Sequence, residues 1–386
     1  LTIQTDDDLS IIKSRFKGQY MKFNSTNFTE QDEEAFLLSV YEYLAKYISS
    51  VNILPTSYYF KAKKIKDIIR NKRGNYLDKN FLFISIIGLA KGFETGLYFL
   101  SPYYSGGSED TIRNLNQFYI PLSYIKTPSG KEYFIDAYSD VITWGYIPSY
   151  YIGNTGILIT KSGVQKRLIK NNKPEADQIE KVLNVKVNKN GDAEVVLITK
   201  FFGVNAEYFR ELKDSSNDEI KNYFNEIISE IAENAHLDSY RLFFIRDLKS
   251  APGYELKFTI KDWAKVKGGL ILTKLLSVNY SAYEVGTPDR FYPMHWDNSK
   301  MSVKKISIEF PKNMKFIIKY IPEDINFSDP DFSYKNHIEM KGNIIEFSEE
   351  FIRSGRFLPP EKYLQYKEMI EKMSDFSKQM VILEKK

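Results

Sequence analysis

Residues 73–79 read Arg-Gly-Asn-Tyr-Leu-Asp-Lys and separate two helical patterns. The pattern before them, residues 61–71, has apolar residues on one face, whereas the pattern after them, residues 77–90, is apolar nearly all round. A helix that is apolar on every side is normally buried. We expect Gly74 to supply a tight turn and Asp78 to lie in the first helical turn, where the helix dipole favours a carboxylate. The stretch therefore predicts the start of a buried central helix.

The composition describes a globular protein with a balanced surface. The chain has 386 residues, enough for two or three domains, of which 43% are hydrophobic and 27% charged. Its 54 Lys and Arg residues against 50 Asp and Glu residues give a net charge of +4. Nucleic-acid-binding proteins carry a clearer basic excess, so we predict no nucleic-acid partner. No apolar run approaches the ~18 residues of a membrane-spanning helix, so we predict no transmembrane segment.

Two residue types that often carry chemistry are scarce. The chain contains no cysteine, which excludes disulfides, thiolate nucleophiles and cysteine-ligated metals. Its three histidines, His236, His295 and His337, have no second metal ligand grouped with them. Metal sites need several converging ligands. We therefore predict neither a metal site nor a cofactor, and expect the histidines to pack as ordinary side chains.

The first part of the chain, residues 1–169, changes from helical to strand patterns. Thr29 followed by Asp32 is a variant of the capping box and predicts the start of an amphipathic helix. Later in this part, residues 115–124 and 131–136 predict two strands that pair as a hairpin. Helices followed by strands are typical of an α+β fold.

The second part, residues 178–386, is dominated by strand patterns. A polar, proline-containing stretch at residues 170–177 predicts a linker before it. Asn190-Gly191 lies between two apolar runs and is a strong hairpin signal. Helical patterns interrupt the strands near 216–234 and 360–378. We expect a mainly-β domain with helical insertions.

The layout of residues 73–79 resembles the nucleophile segment of the transglutaminase-like (papain-like) superfamily, in which Gly-Asp-Cys-x-Asp-Lys opens the central helix. Tyr76 stands at the position of the cysteine. The later stretch Leu-Asn-Gln-Phe-Tyr-Ile is similar to the family's histidine strand, with Gln117 at the histidine position. The stretch Tyr-Phe-Ile-Asp is similar to the strand that carries the third catalytic group, and Asp136 is retained. The resemblance implies a transglutaminase-like domain over residues 1–169 with a degenerate triad.

The substitutions remove the chemistry that the family uses. In such a triad the cysteine is activated at a helix N-terminus, the histidine takes its proton, and the third group orients the imidazole. A phenol, with a pKa near ~10, is mostly protonated at neutral pH. We therefore expect no catalysis at this site. In our interpretation Tyr76 fills the former cleft and Gln117 donates a hydrogen bond to Asp136.

Two other interpretations stay open. One is a cysteine-independent peptidase or acyl transferase with an unrecognised nucleophile, although Ser85 lies about two turns into the helix and is too deep to serve. The other is a glycan- or peptide-binding module built from aromatic loops, because aromatic side chains stack on sugars and grip peptides. The possible ligand cleft would comprise Tyr58, Tyr103, Tyr104, Trp144 and Tyr150.

Residues 178–386 are similar to a β-sandwich domain that follows the transglutaminase-like domain in many bacterial envelope proteins. The resemblance implies an extracytoplasmic location, in the periplasm or associated with the outer membrane, and an envelope protein as partner. It also implies a preceding β-sandwich domain and an export signal. The chain begins at Leu1, so we expect a processed or truncated form. Our hypothesis is a binding or scaffolding module of the cell envelope.

Overall fold

The chain forms two compact units, residues 1–172 and 173–386. The computed structural model describes residues 10–25, 28–53, 61–101, 117–153, 155–169, 173–312 and 314–386. Helices and largely antiparallel sheets both contribute, which confirms the predicted α+β class. None of the helices in these ranges is long and apolar enough to cross a membrane.

The N-terminal unit places its helices before its sheet. Within the described residues the helices are α1 (Ser10–Arg15), α2 (Lys17–Asn24), α3 (Glu30–Tyr47), α4 (Ile65–Asn71) and α5 (Tyr76–Ile87). The strands are β1 (Ser49–Ser50), β2 (Arg73–Gly74), β3 (Glu94–Leu100), β4 (Ile120–Lys126), β5 (Glu132–Ile135), β6 (Thr155–Thr160) and β7 (Gly163–Leu168). Strands β3 to β7 form an antiparallel sheet in the order β5-β4-β3-β6-β7.

Helix α3 begins as its sequence predicts and holds the β4–β5 hairpin. The Thr29 side chain accepts a hydrogen bond from the Asp32 amide, and the Asp32 carboxylate accepts one from the Thr29 amide, which satisfies two amides that a helix end leaves open. The next residue, the buried Glu33, has a carboxylate that accepts hydrogen bonds from the amide and hydroxyl of Ser129 in the β4–β5 turn. This anchors the hairpin to α3.

The stretch before α5 differs in one respect from the expectation. The left-handed residue is Lys72, with φ of 50°, whereas Gly74 lies in β2 and pairs with Ser50. A Cβ atom at Gly74 would lie 2.9 Å from the Cβ of Asp78, closer than side chains tolerate. The glycine is therefore needed for the close approach of the chain to the first turn of α5, not for a turn of unusual φ.

Several other expectations need correction. The first helix predicted from the sequence starts at Thr29, yet α1 and α2 precede it. The predicted hairpin forms, but β4 begins only at Ile120, and Gln117 has 3-10 geometry ahead of the strand. Residues 174–177 of the predicted linker form a 3-10 turn, in which the buried Asp177 accepts a hydrogen bond from the Val204 amide at 3.0 Å. They are part of the packed C-terminal unit.

The C-terminal unit is built mostly from strands. Its helices, within the described residues, are α6 (Gly203–Arg210), α7 (Asn217–Ile231) and α8 (Tyr363–Lys378). Its strands are β8 (Gln178–Val187), β9 (Ala193–Phe201), β10 (Ala235–Phe243), β11 (Gly253–Ile260), β12 (Lys265–Lys267), β13 (Leu270–Thr273), β14 (Met294–His295), β15 (Lys300–Glu309), β16 (Phe316–Tyr320), β17 (Asn326–Ser328), β18 (Phe332–Lys341), β19 (Ile344–Arg353), β20 (Phe357–Leu358) and β21 (Val381–Lys385).

An eight-stranded sheet dominates this unit, in the order β10-β11-β9-β8-β15-β19-β18-β17. Its neighbours pair antiparallel except β8 and β15, which run parallel at the centre. Alternate residues along β9, β15 and β19 are buried, so one face of the sheet is packed and the other carries mostly polar side chains. The packed face shares a core with α7 and with a second sheet of order β12-β13-β21-β16.

Local signals account for much of this unit. The hairpin across Asn190-Gly191 is confirmed, with β8 and β9 paired from Val187 and Ala193 onward. Helix α7 is capped by Ser216 and Glu219, whose side chains and amides exchange hydrogen bonds. The parallel contact between β8 and β15 joins distant parts of the chain and was not predicted.

Candidate functional site

The N-terminus of α5 is fixed by two polar side chains. The Asn75 side chain accepts a hydrogen bond from the Asp78 amide at 2.8 Å, and the Asp78 carboxylate accepts one from the Asn75 amide at 3.1 Å. Asp78 also accepts a hydrogen bond from the Lys63 amide and lies 3.1 Å from the Lys63 ammonium. The carboxylate expected to complement the helix dipole therefore also holds the segment that leads into α4.

Tyr76, the residue at the position of the family's cysteine, lies in the first turn of α5 against Tyr138. The two rings stack with centroids 3.6 Å apart and planes 15° apart. Burial raises the pKa of the Tyr138 hydroxyl, while its hydrogen bond with Tyr76 acts in the opposite direction. Both side chains are half-buried. The start of α5 thus presents a pair of stacked phenols.

Lys79 lies behind this pair and is fully buried. Its ammonium donates hydrogen bonds to the carbonyl of Ile48 and to the hydroxyl of Ser50, each at 2.9 Å. The Ser50 hydroxyl in turn donates to the carbonyl of Tyr138 at 2.6 Å. A buried ammonium is costly unless its donors are satisfied, and here it connects α5 with the end of α3 and the loop after β5.

Asn80 connects α5 to the sheet. Its amide nitrogen donates to the carbonyls of Tyr76 and Pro121, at 2.9 and 3.1 Å. Its amide oxygen accepts from the Ser123 hydroxyl at 2.8 Å and from the Ala137 amide at 3.1 Å. One buried side chain therefore ties the helix to β4 and to the residue that follows Asp136.

Asp136 directly follows β5 and is buried, with 4% of its surface exposed. It accepts a hydrogen bond from the Tyr138 amide at 3.0 Å, and the side chain of Tyr151 also bonds to it. Burial raises the pKa of Asp136 to about 6, although these hydrogen bonds and the charge of Lys79 pull it downward. We call this group the Asp136 network; its members are Tyr76, Lys79, Asn80, Asp136, Tyr138 and Tyr151.

Of the three positions singled out from the sequence, the structure brings Tyr76 and Asp136 into one network. Gln117 lies ahead of β4 and is half-buried. Its predicted hydrogen bond with Asp136 stays a prediction. The sequence did not point to Asn80 or Tyr151, although a polar Asn80 within an apolar helix was a readable signal of a buried hydrogen-bonding role.

The aromatic residues proposed as a ligand cleft divide into two groups. Tyr58, Tyr103 and Tyr104 lie outside the described residues. Trp144 donates a hydrogen bond to Glu34 and packs against the rings of Tyr41 and Tyr133. Tyr150 packs edge-on against Tyr151, with centroids 4.5 Å apart. The contacts of Trp144 and Tyr150 are thus packing contacts within the N-terminal unit, and the ligand cleft stays a prediction.

The three histidines occupy strands of the C-terminal unit. His295 contacts the ring of Phe357, and Nδ1 of His337 lies 2.6 Å from the Asp324 carboxylate, which raises the pKa of His337. His236 is exposed on β10. Across the described ranges no three His, Asp or Glu side chains converge as metal ligands would.

Comparisons with known proteins identify a domain and a fold. Residues 269–383 match the model of a domain family of unknown function, DUF3858. No curated protein matches the chain. Among solved structures, the chain is similar to a protein from Parabacteroides distasonis described as a "putative protease", with a TM-score of 0.54 and 12% identity.

The structural likeness covers 96% of this chain but 55% of the Parabacteroides distasonis protein. The chain therefore spans about half the length of the structure that it matches. At 12% identity the comparison supports a shared fold across both units and says nothing about shared chemistry.

Proposed function

We propose that the N-terminal unit is a transglutaminase-like domain that has exchanged its catalytic triad for a structural network, and that the protein acts as a binding or scaffolding module of the bacterial cell envelope. The observation that carries the proposal is the stacked pair of Tyr76 and Tyr138 at the start of α5. The superfamily places its activated thiol at this helix position, and the chain contains no cysteine.

The surroundings of Asp136 support a structural role. In a working triad this carboxylate would orient an imidazole. Here the Tyr138 amide and the side chain of Tyr151 bond to it. Buried carboxyls need such partners whether or not they catalyse. The network therefore accounts for retention of Asp136 without catalysis.

The envelope location and the protein partner rest on the family resemblance. Proteins that combine these two kinds of domain are typically exported, so the partner we propose is another envelope protein. The balanced surface charge fits this kind of partner better than a nucleic acid.

An enzymatic function is the second candidate. It is favoured by the shared fold with a protein described in terms of proteolysis, and by a carboxyl, Asp136, with a pKa of about 6, within the range useful for acid–base catalysis. A peptidase or acyl transferase of this kind would have to work without a thiol. A glycan- or peptide-binding role for the aromatic loops remains a third proposal.

The decisive experiment combines activity with partner capture. Wild-type protein and the Asp136→Ala variant are assayed with peptide and acyl-transfer substrates, and tagged wild type is recovered from detergent-solubilised envelope for mass spectrometry. We expect no turnover by either protein and one stoichiometric partner. Turnover by the wild type that Asp136→Ala removes would establish the enzyme instead, and a blank recovery at native expression would contradict the scaffold.

The family geometry can be tested separately, because any introduced cysteine is unique in the chain. A cysteine at the start of α5 should be acidified by the helix dipole, whereas one at the end of α3 should not. We expect the pH midpoint of iodoacetamide alkylation to be at least about one unit lower for Tyr76→Cys than for the control Tyr47→Cys. Equal midpoints would argue against a thiol-activating position at Tyr76.

A further inference from the structure

A polar row crosses the packed face of the eight-stranded sheet. Lys181 of β8 is the register partner of Lys304 in β15, which is opposite Glu349 of β19, which in turn is opposite Asn336 of β18. Register partners in adjacent strands project from the same face. The same face carries the buried apolar residues of the core, so a row containing two lysines needs an electrostatic explanation.

One lysine of the row is fully accommodated. The Lys304 ammonium lies 2.7 Å from the Glu349 carboxylate and donates to the carbonyl of Ser277 at 2.6 Å. The hydroxyls of Tyr280 and Tyr334 also donate to Glu349. The charges of Lys304 and Glu349 therefore compensate each other, and this pair needs no further charged partner.

Two lysines on the same face lack such a partner: Lys181, which is the other lysine of the row, and Lys300, which lies on β15. Neither Lys181 nor Lys300 forms an ion pair with a carboxylate in the described ranges, and the ammonium of Lys300 lies 5.6 Å from the ring centroid of Phe351. Desolvation lowers the pKa of both lysines, and Lys304 adds to the effect on each. For Lys300 the charge of Glu284 offsets part of this effect. An anionic ligand would stabilise a lysine that no carboxylate contacts directly.

Lys300 lines a cleft that can hold such a ligand. The cleft encloses about 600 Å³, within the range of small-molecule sites. Phe351 of β19 with Ile370 and Met373 of α8 supply an apolar wall. The remaining lining residues are Tyr280, Ser281, Tyr283, Glu284 and Ser302.

One detail supports an anion at this site, and two others describe its surroundings. The Ser302 hydroxyl makes no hydrogen bond with the described protein and stands two residues from Lys300 on the same face. The Glu284 carboxylate accepts a hydrogen bond from the Tyr366 hydroxyl at 2.8 Å and keeps its negative charge. Tyr283, at the rim, is 92% exposed, so its ring is available to cover a bound molecule.

We propose that this cleft of the C-terminal unit binds a small carboxylate with an apolar body, received by the Lys300 ammonium and the Ser302 hydroxyl and packed against Phe351, Ile370 and Met373. The carboxylate could be that of a free organic acid or of the C-terminal residue of a peptide, which offer the same chemistry. The cleft lies within residues 269–383, the part that matches DUF3858, and the proposal does not depend on the function of the N-terminal unit.

The test is calorimetric titration of the full chain with octanoate and with acetyl-Ala-Phe, each compared with its neutral amide. We expect at least one carboxylate to bind saturably and its amide to bind at least tenfold more weakly. Binding of octanoate alone identifies a free acid as the source, and binding of the peptide alone identifies a C-terminus.

Variants locate the binding. Lys300→Met should weaken binding at least tenfold and Ser302→Ala a few-fold, because each removes one donor to the carboxylate. Lys305→Met is the matched control: it lies on the same strand, loses the same charge, and points to the opposite face, so binding should be unchanged. Absence of saturable binding, equal binding of acid and amide, or an unchanged affinity in Lys300→Met would each overturn the proposal.

Discussion

The two units bury a carboxyl group to the same extent and accommodate it differently. Asp136 in the N-terminal unit and Glu349 in the C-terminal unit are each 4% exposed. Asp136 is held by a backbone amide and by the side chain of Tyr151, whereas Glu349 has the ammonium of Lys304 at 2.7 Å. Equal burial therefore does not determine the electrostatics of a carboxyl; the nature of its partner does.

The two carboxyls differ because the lysine near each one donates its hydrogen bonds to different groups. In the N-terminal unit the buried ammonium of Lys79 donates to Ile48 and Ser50, and its charge acts on Asp136 without an ion pair between them. Burial consequently prevails and raises the pKa of Asp136. In the C-terminal unit the ammonium contacts the carboxylate itself and compensates its charge directly.

The largest effect should follow from breaking the pair in the C-terminal unit. Lys304→Met leaves Glu349 buried without its cation, and such losses cost about 3–5 kcal/mol in the free energy of unfolding. Urea denaturation measures the change. The double variant Lys304→Met with Glu349→Leu should recover part of the loss, because it removes the stranded charge as well.

A surface ion pair on the same sheet provides the control. Lys335 lies 2.7 Å from Glu350, as close as the buried pair, but 65% of its side chain is exposed. Lys335→Met should therefore change the free energy of unfolding by no more than about 1 kcal/mol. If Lys304→Met lowered the free energy of unfolding by as little as Lys335→Met, burial would not determine what each ion pair contributes to stability.

A smaller effect on the free energy of unfolding is expected at Asp136, the buried carboxyl that has no ion pair. It should be visible only as a dependence on pH. The pKa of Asp136 is about 6 in the folded protein against 3.8 as its ordinary value, so its favourable contribution is complete below pH 3.8 and is lost as pH rises through 6. The loss is about 3 kcal/mol at 1.36 kcal/mol per pKa unit. Asp136→Asn cannot titrate, so relative to wild type it should gain stability by up to about 3 kcal/mol between pH 4 and pH 7.

The measurement is urea denaturation of both proteins across that range, with the difference taken at each pH. Asp140→Asn, a half-buried residue four positions further on, controls for the general effect of removing one negative charge. Parallel pH profiles for Asp136→Asn and wild type would mean that the network does not hold a raised pKa.

Local signals in the sequence predicted the start of α5, the capped helices and the hairpins. Capping at Thr29 and Asp32 and the turn at Asn190-Gly191 depend on residues within a few positions of each other, so a single segment contains the information. The same is true of Asp78 in the first turn of α5. The α+β class follows from the order of such segments.

The Asp136 network could be predicted only in part. Asp136 and Tyr76 were singled out through the family resemblance, but the approach of Asn80 and Tyr151 depends on how α5 packs against the sheet. Gln117 was expected on a strand and instead precedes it. Such contacts join residues tens of positions apart, and periodicity carries no information about them.

The parallel contact between β8 and β15 has a consequence for how the chain folds. On either side of it the large sheet consists of antiparallel neighbours, whereas this contact joins segments about 120 residues apart. Contacts between distant segments cost loop-closure entropy before they contribute any stability, so they form late. During synthesis, β8 to β11 would wait with one edge open until residues 300–309 have emerged. The joining of the two halves of the sheet is therefore the step at which folding of this unit should be slowest and aggregation most competitive.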